Sequence, residues 1–129
     1  MVAHGTIAFD TLTTSDQVKT GTEKSLDTSY VLNGSAKSWC NYTTAATFVN
    51  NGSFNVTTTE DAGDGSCKLH FTNVFNDDDY STTGLQTVGA GQLGLNAQET
   101  TYTWCISYNT SNAAADSGET TMTAHGDLA

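Results

Sequence analysis

The sequence predicts an all-β fold: an antiparallel β-sandwich, jelly-roll-like, behind a short extended N-terminal arm. Three observations predict it. Apolar and polar residues alternate with period two in short runs, above all "CKLHF" and "TYTWCISY", as half-buried strands do. Asn-Gly pairs and glycine-rich clusters separate these runs, supplying the positive φ that hairpin turns require. No segment sustains a helical apolar period, and "SNAAADS" is too short to hold a helix alone. Residues 1–29 are expected to form a strand and an extended arm. Residues 30–129 are expected to form the sandwich, with about seven or eight short strands.

In chain order, "GTIAFDTLTT" offers a short strand through Ile7 and Phe9, with Leu12 one step out of phase. "SDQVKTGTEKSLDTS" has almost no apolar content and reads as linker or arm. In "YVLNGSAKSWCNY" the pair Asn33-Gly34 predicts a hairpin, followed by Ala36, Ser38 and Cys40 alternating with Lys37, Trp39 and Asn41. A second pair, Asn51-Gly52, predicts another turn, after which Phe54, Val56 and Thr58 share one strand face. "EDAGDGS", Glu60 to Ser66, joins that strand to "CKLHF", where Cys67, Leu69 and Phe71 face opposite Lys68 and His70. In "TYTWCISY", Tyr102, Trp104, Ile106 and Tyr108 share one face, and Thr103, Cys105 and Ser107 the other. "NTSNAAADSGE" is a polar loop and "TTMTAH" a closing strand.

The chain has 129 residues, enough for one ordinary domain with a modest core, and only 36% of them are hydrophobic. Net charge is −10; arginine is absent and the four lysines, Lys19, Lys24, Lys37 and Lys68, are scattered. Nucleic acid, which calls for clustered cations, is therefore not an expected partner, and neither is an anionic membrane. No apolar run approaches a membrane-spanning helix, and "MVAHGTIAFD" lacks the basic start of a signal peptide. A cytoplasmic origin is expected. Cys40, Cys67 and Cys105 each lie in a strand-like run and are expected to be buried free thiols, with one disulfide as the alternative.

Signatures of chemistry are weak. "GAGQLG" fits a dinucleotide-binding spacing at Gly89, Gly91 and Gly94, but "LNAQETTYTW" runs from it into a strand rather than a helix. An EF-hand loop requires oxygen ligands at positions 1, 3 and 5 and a Glu at 12. Counted from Glu60, positions 3 and 12 are Ala62 and Phe71; counted from Asp61, positions 3 and 5 are glycines. Asp61 and Asp64 are therefore read as part of a turn. Asp77, Asp78 and Asp79 are read as a solvated segment, since consecutive extended residues point apart. A weak cation site is the alternative at both. His4, His70 and His125 lack ligand spacing, no Cys-x-x-Cys or G-x-S-x-G occurs, and neither enzyme activity nor a cofactor is expected.

Residues Leu32 to Tyr80 carry an ordered set of motifs: "NGSAKSW", "SFNV", the turn "EDAGDGS" before a strand ending in Phe, and F-x-x-x-x-Y from Phe75 to Tyr80. With "YTWCISYN", a polar loop and a closing strand, the set resembles a small β-domain of tailed-bacteriophage virion structural proteins, notably of short-tailed marine and cyanobacterial phages. The resemblance spans about residues 30–122. It implies a non-enzymatic particle protein, assembled in the host cytoplasm and located in the virion. A small acidic β-protein with its own start Met and a short arm suits capsid decoration, as a cement protein on the major capsid protein. A tail fibre or other tail component contacting the receptor is the first alternative, and a carbohydrate-binding module the second. Self-association, as a homotrimer, is expected from the three-fold docking points of capsids. Trp39, Tyr102, Trp104 and Tyr108 are the candidate interface anchors, with core packing the alternative, and for Trp104 the stronger one.

Overall fold

The computed structural model describes residues 11–14, 24–27, 31–32, 34–45, 47–87 and 91–129. The chain divides into two compact units, residues 1–35 and 36–129. In the first, β1 (Thr11–Thr14) pairs antiparallel with β2 (Lys24–Asp27), Leu12 standing opposite Leu26. Lys24–Asp27, expected as linker or arm, is thus strand: pairing with β1 supplies the backbone partners that its composition does not advertise. Ile7 and Phe9 lie outside the described residues.

The predicted Asn33-Gly34 hairpin does not form. Val31, Leu32 and Gly34 are helical, and the Ser35 N–H donates to the Val31 carbonyl at 3.2 Å; Asn33 itself lies outside the described residues. The helical turn thus takes the Ser35 N–H that a two-residue hairpin would give to the Leu32 carbonyl; the next strand is β3 (Ser38–Thr43).

The second unit is the sandwich. Its strands are β3, β4 (Val49–Phe54), β5 (Val56–Asp61), β6 (Ser66–Phe71), β7 (Ser81–Gln86), β8 (Gln92–Glu99), β9 (Tyr102–Tyr108) and β10 (Thr120–His125). They form two four-stranded antiparallel sheets, ordered β4-β3-β10-β7 and β5-β6-β9-β8. The predicted all-β antiparallel sandwich is what forms. A jelly roll wraps two Greek keys around eight strands; here the pairs β3–β4, β5–β6 and β8–β9 stay in one sheet as hairpins.

"EDAGDGS" is a hairpin turn, as expected. The Ala62 N–H donates to the Ser66 carbonyl and the Ser66 N–H to the Gly63 carbonyl, with Gly63 and Gly65 at φ of 110° and 62°. Asn51-Gly52, in contrast, is not a turn. It lies inside β4, where register shifts by one residue opposite Asn41 and Tyr42, and the reversal occurs earlier, before Val49. Neither Asn51 nor Gly52 takes a positive φ, so the bulge uses none of the freedom that a tight turn would need from an Asn-Gly pair.

The expected shared face of Phe54, Val56 and Thr58 is also replaced. Asn55 adopts a left-handed φ of 55° and turns the chain from one sheet into the other. Its side chain fixes the corner: Oδ1 accepts the Asn73 N–H at 2.7 Å and Nδ2 donates to the Asn73 carbonyl at 3.0 Å. Phe54 is left exposed while Val56 packs against the core.

The core is built from small residues around a few large ones. Ser38, Cys40 and Tyr42 (β3) and Thr120, Met122 and Ala124 (β10) are buried against Cys67, Leu69 and Phe71 (β6) and Thr103, Cys105 and Ser107 (β9). Thus the inner face of β9 is its small-residue face. Trp104 is not a core residue, which corrects the core-packing alternative. At one end the segment 72–80 folds in: Phe75 stacks on Tyr80 at 4.1 Å between centroids and meets Phe71 edge-on at 4.8 Å. The Tyr80 hydroxyl donates to the Tyr102 carbonyl at 2.9 Å. The F-x-x-x-x-Y spacing is therefore a core staple, and Asp77–Asp79 are its exposed loop, with the Asp79 N–H donating to Asp77 Oδ1.

Candidate interaction surfaces

The four anchor candidates divide between two sheets. Tyr102, Trp104 and Tyr108, with Ile106, project outward from β9 because Thr103, Cys105 and Ser107 alternate inward. Trp39 projects outward from β3 in the other sheet, since Ser38 and Cys40 are buried. The two surfaces have different chemistry.

On the β9 surface, neighbouring strands hold the rings in place. Register sets Glu60, Lys68 and Trp104 in one cross-strand row, and Thr58, His70 and Tyr102 in the next. Lys68 Nζ is 2.9 Å from Glu60 Oε1 and 4.9 Å from the Trp104 ring centroid, joining an ion pair to a cation–π contact. His70 Nε2 is 3.2 Å from Glu60 Oε2, and its ring is 5.5 Å from that of Tyr102. The Trp104 indole N–H donates to Ser66 Oγ. Tyr108 leans over Gly94, where an added Cβ would lie 2.8 Å from Cε2. The result is a half-buried apolar row with charge along its margin. Hydrogen bonds from Lys68 and His70 hold the Glu60 carboxyl below its ordinary pKa. A depressed carboxylate favours the folded state above its unfolded value and loses that contribution as pH falls through the folded one. Exposure keeps the effect small.

On the β3 surface, Trp39 stands across from Phe54 in register, the two 43% and 56% exposed. Val49 and Leu85 are also exposed on outward positions of the same sheet. No Asp, Glu, Lys or Arg occupies an outward strand position there; Asn41, Asn51, Thr43, Thr121, Thr123 and Thr83 do.

Cys40, Cys67 and Cys105 are free and buried. Cys67 and Cys105 are register partners on β6 and β9, and Cys40 reaches the same core from the facing sheet. Burial, followed by the neighbouring thiol of Cys105, pushes Cys40 up to about 12. Burial pushes Cys105 up to about 11, and pushes Cys67 up as well. Such thiols are poor nucleophiles and poor metal ligands. A folded state that keeps them protonated loses stability once the unfolded chain ionises, so the loss begins near an ordinary thiol value and continues through pH 11. The urea midpoint is expected to fall steeply between pH 9 and 11. It should fall less in a Cys40→Ala/Cys67→Ala/Cys105→Ala variant that folds. Equal slopes in the two proteins would contradict this account.

Asp61 and Asp64 belong to the hairpin turn. Asp61 Oδ1 accepts the Gly63 N–H, while Asp116, from the loop at 109–119, accepts the Gly65 N–H at 2.8 Å. Among the described residues no three His, Cys, Asp or Glu side chains come within reach of one ion. Gly91 and Gly94 of "GAGQLG" lead into and lie within β8, so no helix follows them; Gly89 lies outside the described residues. Sequence reasoning missed Phe54 and Val49 as surface residues, because the Asn55 corner that exposes Phe54 has no apolar periodicity of its own. No family model, curated protein or solved structure matches the chain.

Proposed function

We propose that the chain is a non-enzymatic structural protein of a tailed-phage particle, decorating the outer capsid surface by docking on the major capsid protein. The observation that carries the reading is the Tyr102–Trp104–Ile106–Tyr108 row with its margin of Glu60, Lys68 and His70. An apolar, aromatic centre within a polar rim is the anatomy of a protein interface. The rings are already ordered by Ser66, Lys68 and Gly94, so docking costs little side-chain entropy. The motif resemblance supports the same reading, and its landmarks have structural roles: a sheet corner, a hairpin turn and a core staple. Docking about local three-fold axes makes a trimer the proposed assembly.

Imaging purified particles that carry the labelled protein tests this. Label over the whole capsid is the expected result; label confined to the tail sinks the capsid assignment in favour of a tail component. Trp104→Ala and Tyr108→Ala, purified as folded proteins and added to undecorated particles, should each weaken docking by about tenfold or more. Unchanged occupancy with both variants counts against the β9 surface as the docking face.

A further inference from the structure

We infer that the Trp39 face of the sheet β4-β3-β10-β7 is a binding site for an uncharged polysaccharide. The inference concerns the sheet opposite the proposed docking row, and stands or falls separately from it.

Three observations carry it. First, the Trp39 indole lies against the sheet instead of standing off it. An added Cβ at Gly52 would meet its Cζ3 and Cη2 at 3.7 and 3.8 Å, so glycine leaves the floor on which the ring rests. With 43% of the residue exposed, the ring is open to solution, and Phe54, 56% exposed, is its register partner on the neighbouring strand. A flat aromatic surface of this kind suits the apolar face of a pyranose ring.

Second, the positions beside the ring carry fixed amides and hydroxyls. The β-bulge in β4 turns Asn51 toward β3, where its Nδ2 donates to Asn41 Oδ1 at 3.0 Å and to Thr43 Oγ1 at 3.2 Å. Asn41 Nδ2 in turn donates to Glu119 Oε1 at 2.6 Å, and Thr43 Oγ1 to the Gly118 carbonyl at 2.8 Å. The chain of bonds holds the side chains in one geometry before any ligand arrives. Next to it, an open groove of ≈ 370 Å³ is lined by Leu85, Gln86, Thr87, Glu119 and Thr121, a volume in the range of small-ligand sites.

Third, charge selects the class of ligand. No Asp, Glu, Lys or Arg occupies an outward strand position, although His125 stands on one and Lys37 precedes Trp39 in phase; the carboxylate that reaches the face, Glu119, is an acceptor for hydroxyl donors. On a chain of net charge −10, a uronate or sulfated polymer is repelled and finds no Lys or Arg on these positions. A protein partner would have to desolvate several hydroxyls and amides and pair each of them. A neutral glycan brings hydroxyls at similar density and leaves water in place.

Affinity electrophoresis of the full chain in gels containing soluble β-1,3-glucan, hydroxyethylcellulose or β-mannan tests the inference, with alginate and a sulfated galactan as charged controls. Retardation by at least one neutral polymer is expected. It should weaken about tenfold or more in Trp39→Ala, persist in part in Trp39→Tyr, and remain unchanged in Tyr108→Ala. Circular dichroism and melting temperature establish that each variant is folded. No retardation by any neutral polymer overturns the inference, as does stronger retardation by a charged one or an unaltered Trp39→Ala. Sedimentation velocity covers the remaining occupant: a dimer abolished by Trp39→Ala would assign this face to a second copy of the chain and overturn the glycan site.

Discussion

Gly65→Ala is expected to lower the melting temperature by roughly 10–20 °C, from a destabilisation of about 2–4 kcal/mol. Two costs combine at this position. Gly65 holds φ at 62°, a left-handed conformation that costs an L side chain about 1–2 kcal/mol. An added Cβ would also lie 2.4 Å from the Ala115 carbonyl oxygen and 2.8 Å from that of Ser107, both rigid backbone atoms. To make room, the loop at 109–119 must retreat from the hairpin, taking with it the Asp116 carboxylate that accepts the Gly65 N–H. Gly63→Ala is the control. Its φ of 110° is also unfavourable, but nothing stands within 4 Å of the new Cβ, so only the conformational cost applies. A Gly65→Ala destabilisation no larger than the conformational cost alone, about 1–2 kcal/mol, would show that the loop does not press on the turn.

Phe75→Ala is expected to cost about 3–5 kcal/mol, the range for removing a large buried aromatic side chain. Phe75 is 1% exposed and touches both Tyr80 and Phe71. It is also bridged through its backbone to Leu128 near the C-terminus. Truncation leaves a cavity between two rings and loosens the segment that caps the sheets. A smaller loss is expected for Phe54→Ala, because Phe54 is 56% exposed and leaves no cavity. Urea titrations of the two variants check the order. Similar midpoint shifts for both would mean that segment 72–80 is not a structural staple.

The strands of the sandwich were legible where one face is buried and the other wet. "CKLHF" and "TYTWCISY" alternate cleanly because each lies in the middle of a sheet, with a uniform environment on either side. Which side is inner was harder to read in β9. Size and hydropathy point to the aromatic face, yet the core admits Thr103, Cys105 and Ser107, since Tyr42, Phe71, Phe75 and Tyr80 already fill it from elsewhere. That competition is long-range and leaves no local trace. An Asn-Gly pair permits a hairpin without requiring one: Asn51-Gly52 sits at a bulge and takes no positive φ. The real corner is the single left-handed Asn55, which local pattern does not distinguish from any other asparagine. Candidate anchors were identified as residues, but their separation onto two sheets depends on which strands pair, and pairing is not visible in alternation.

The place of β10 has a consequence for how the protein comes to be folded. The strand from Thr120 to His125 sits between β3 and β7, so Met122 is a neighbour of Cys40 across the ladder. Until those residues are available, the sheet β4-β3-β10-β7 has an empty lane at its centre, and β3 presents one unpaired edge. Contacts between such distant parts of a chain close slowly, because loop entropy is lost before the pairing rewards it. Assembly of this sheet therefore waits for the whole domain to leave the ribosome, and a nascent chain stalled before Thr120 carries an open edge ready to pair with other chains.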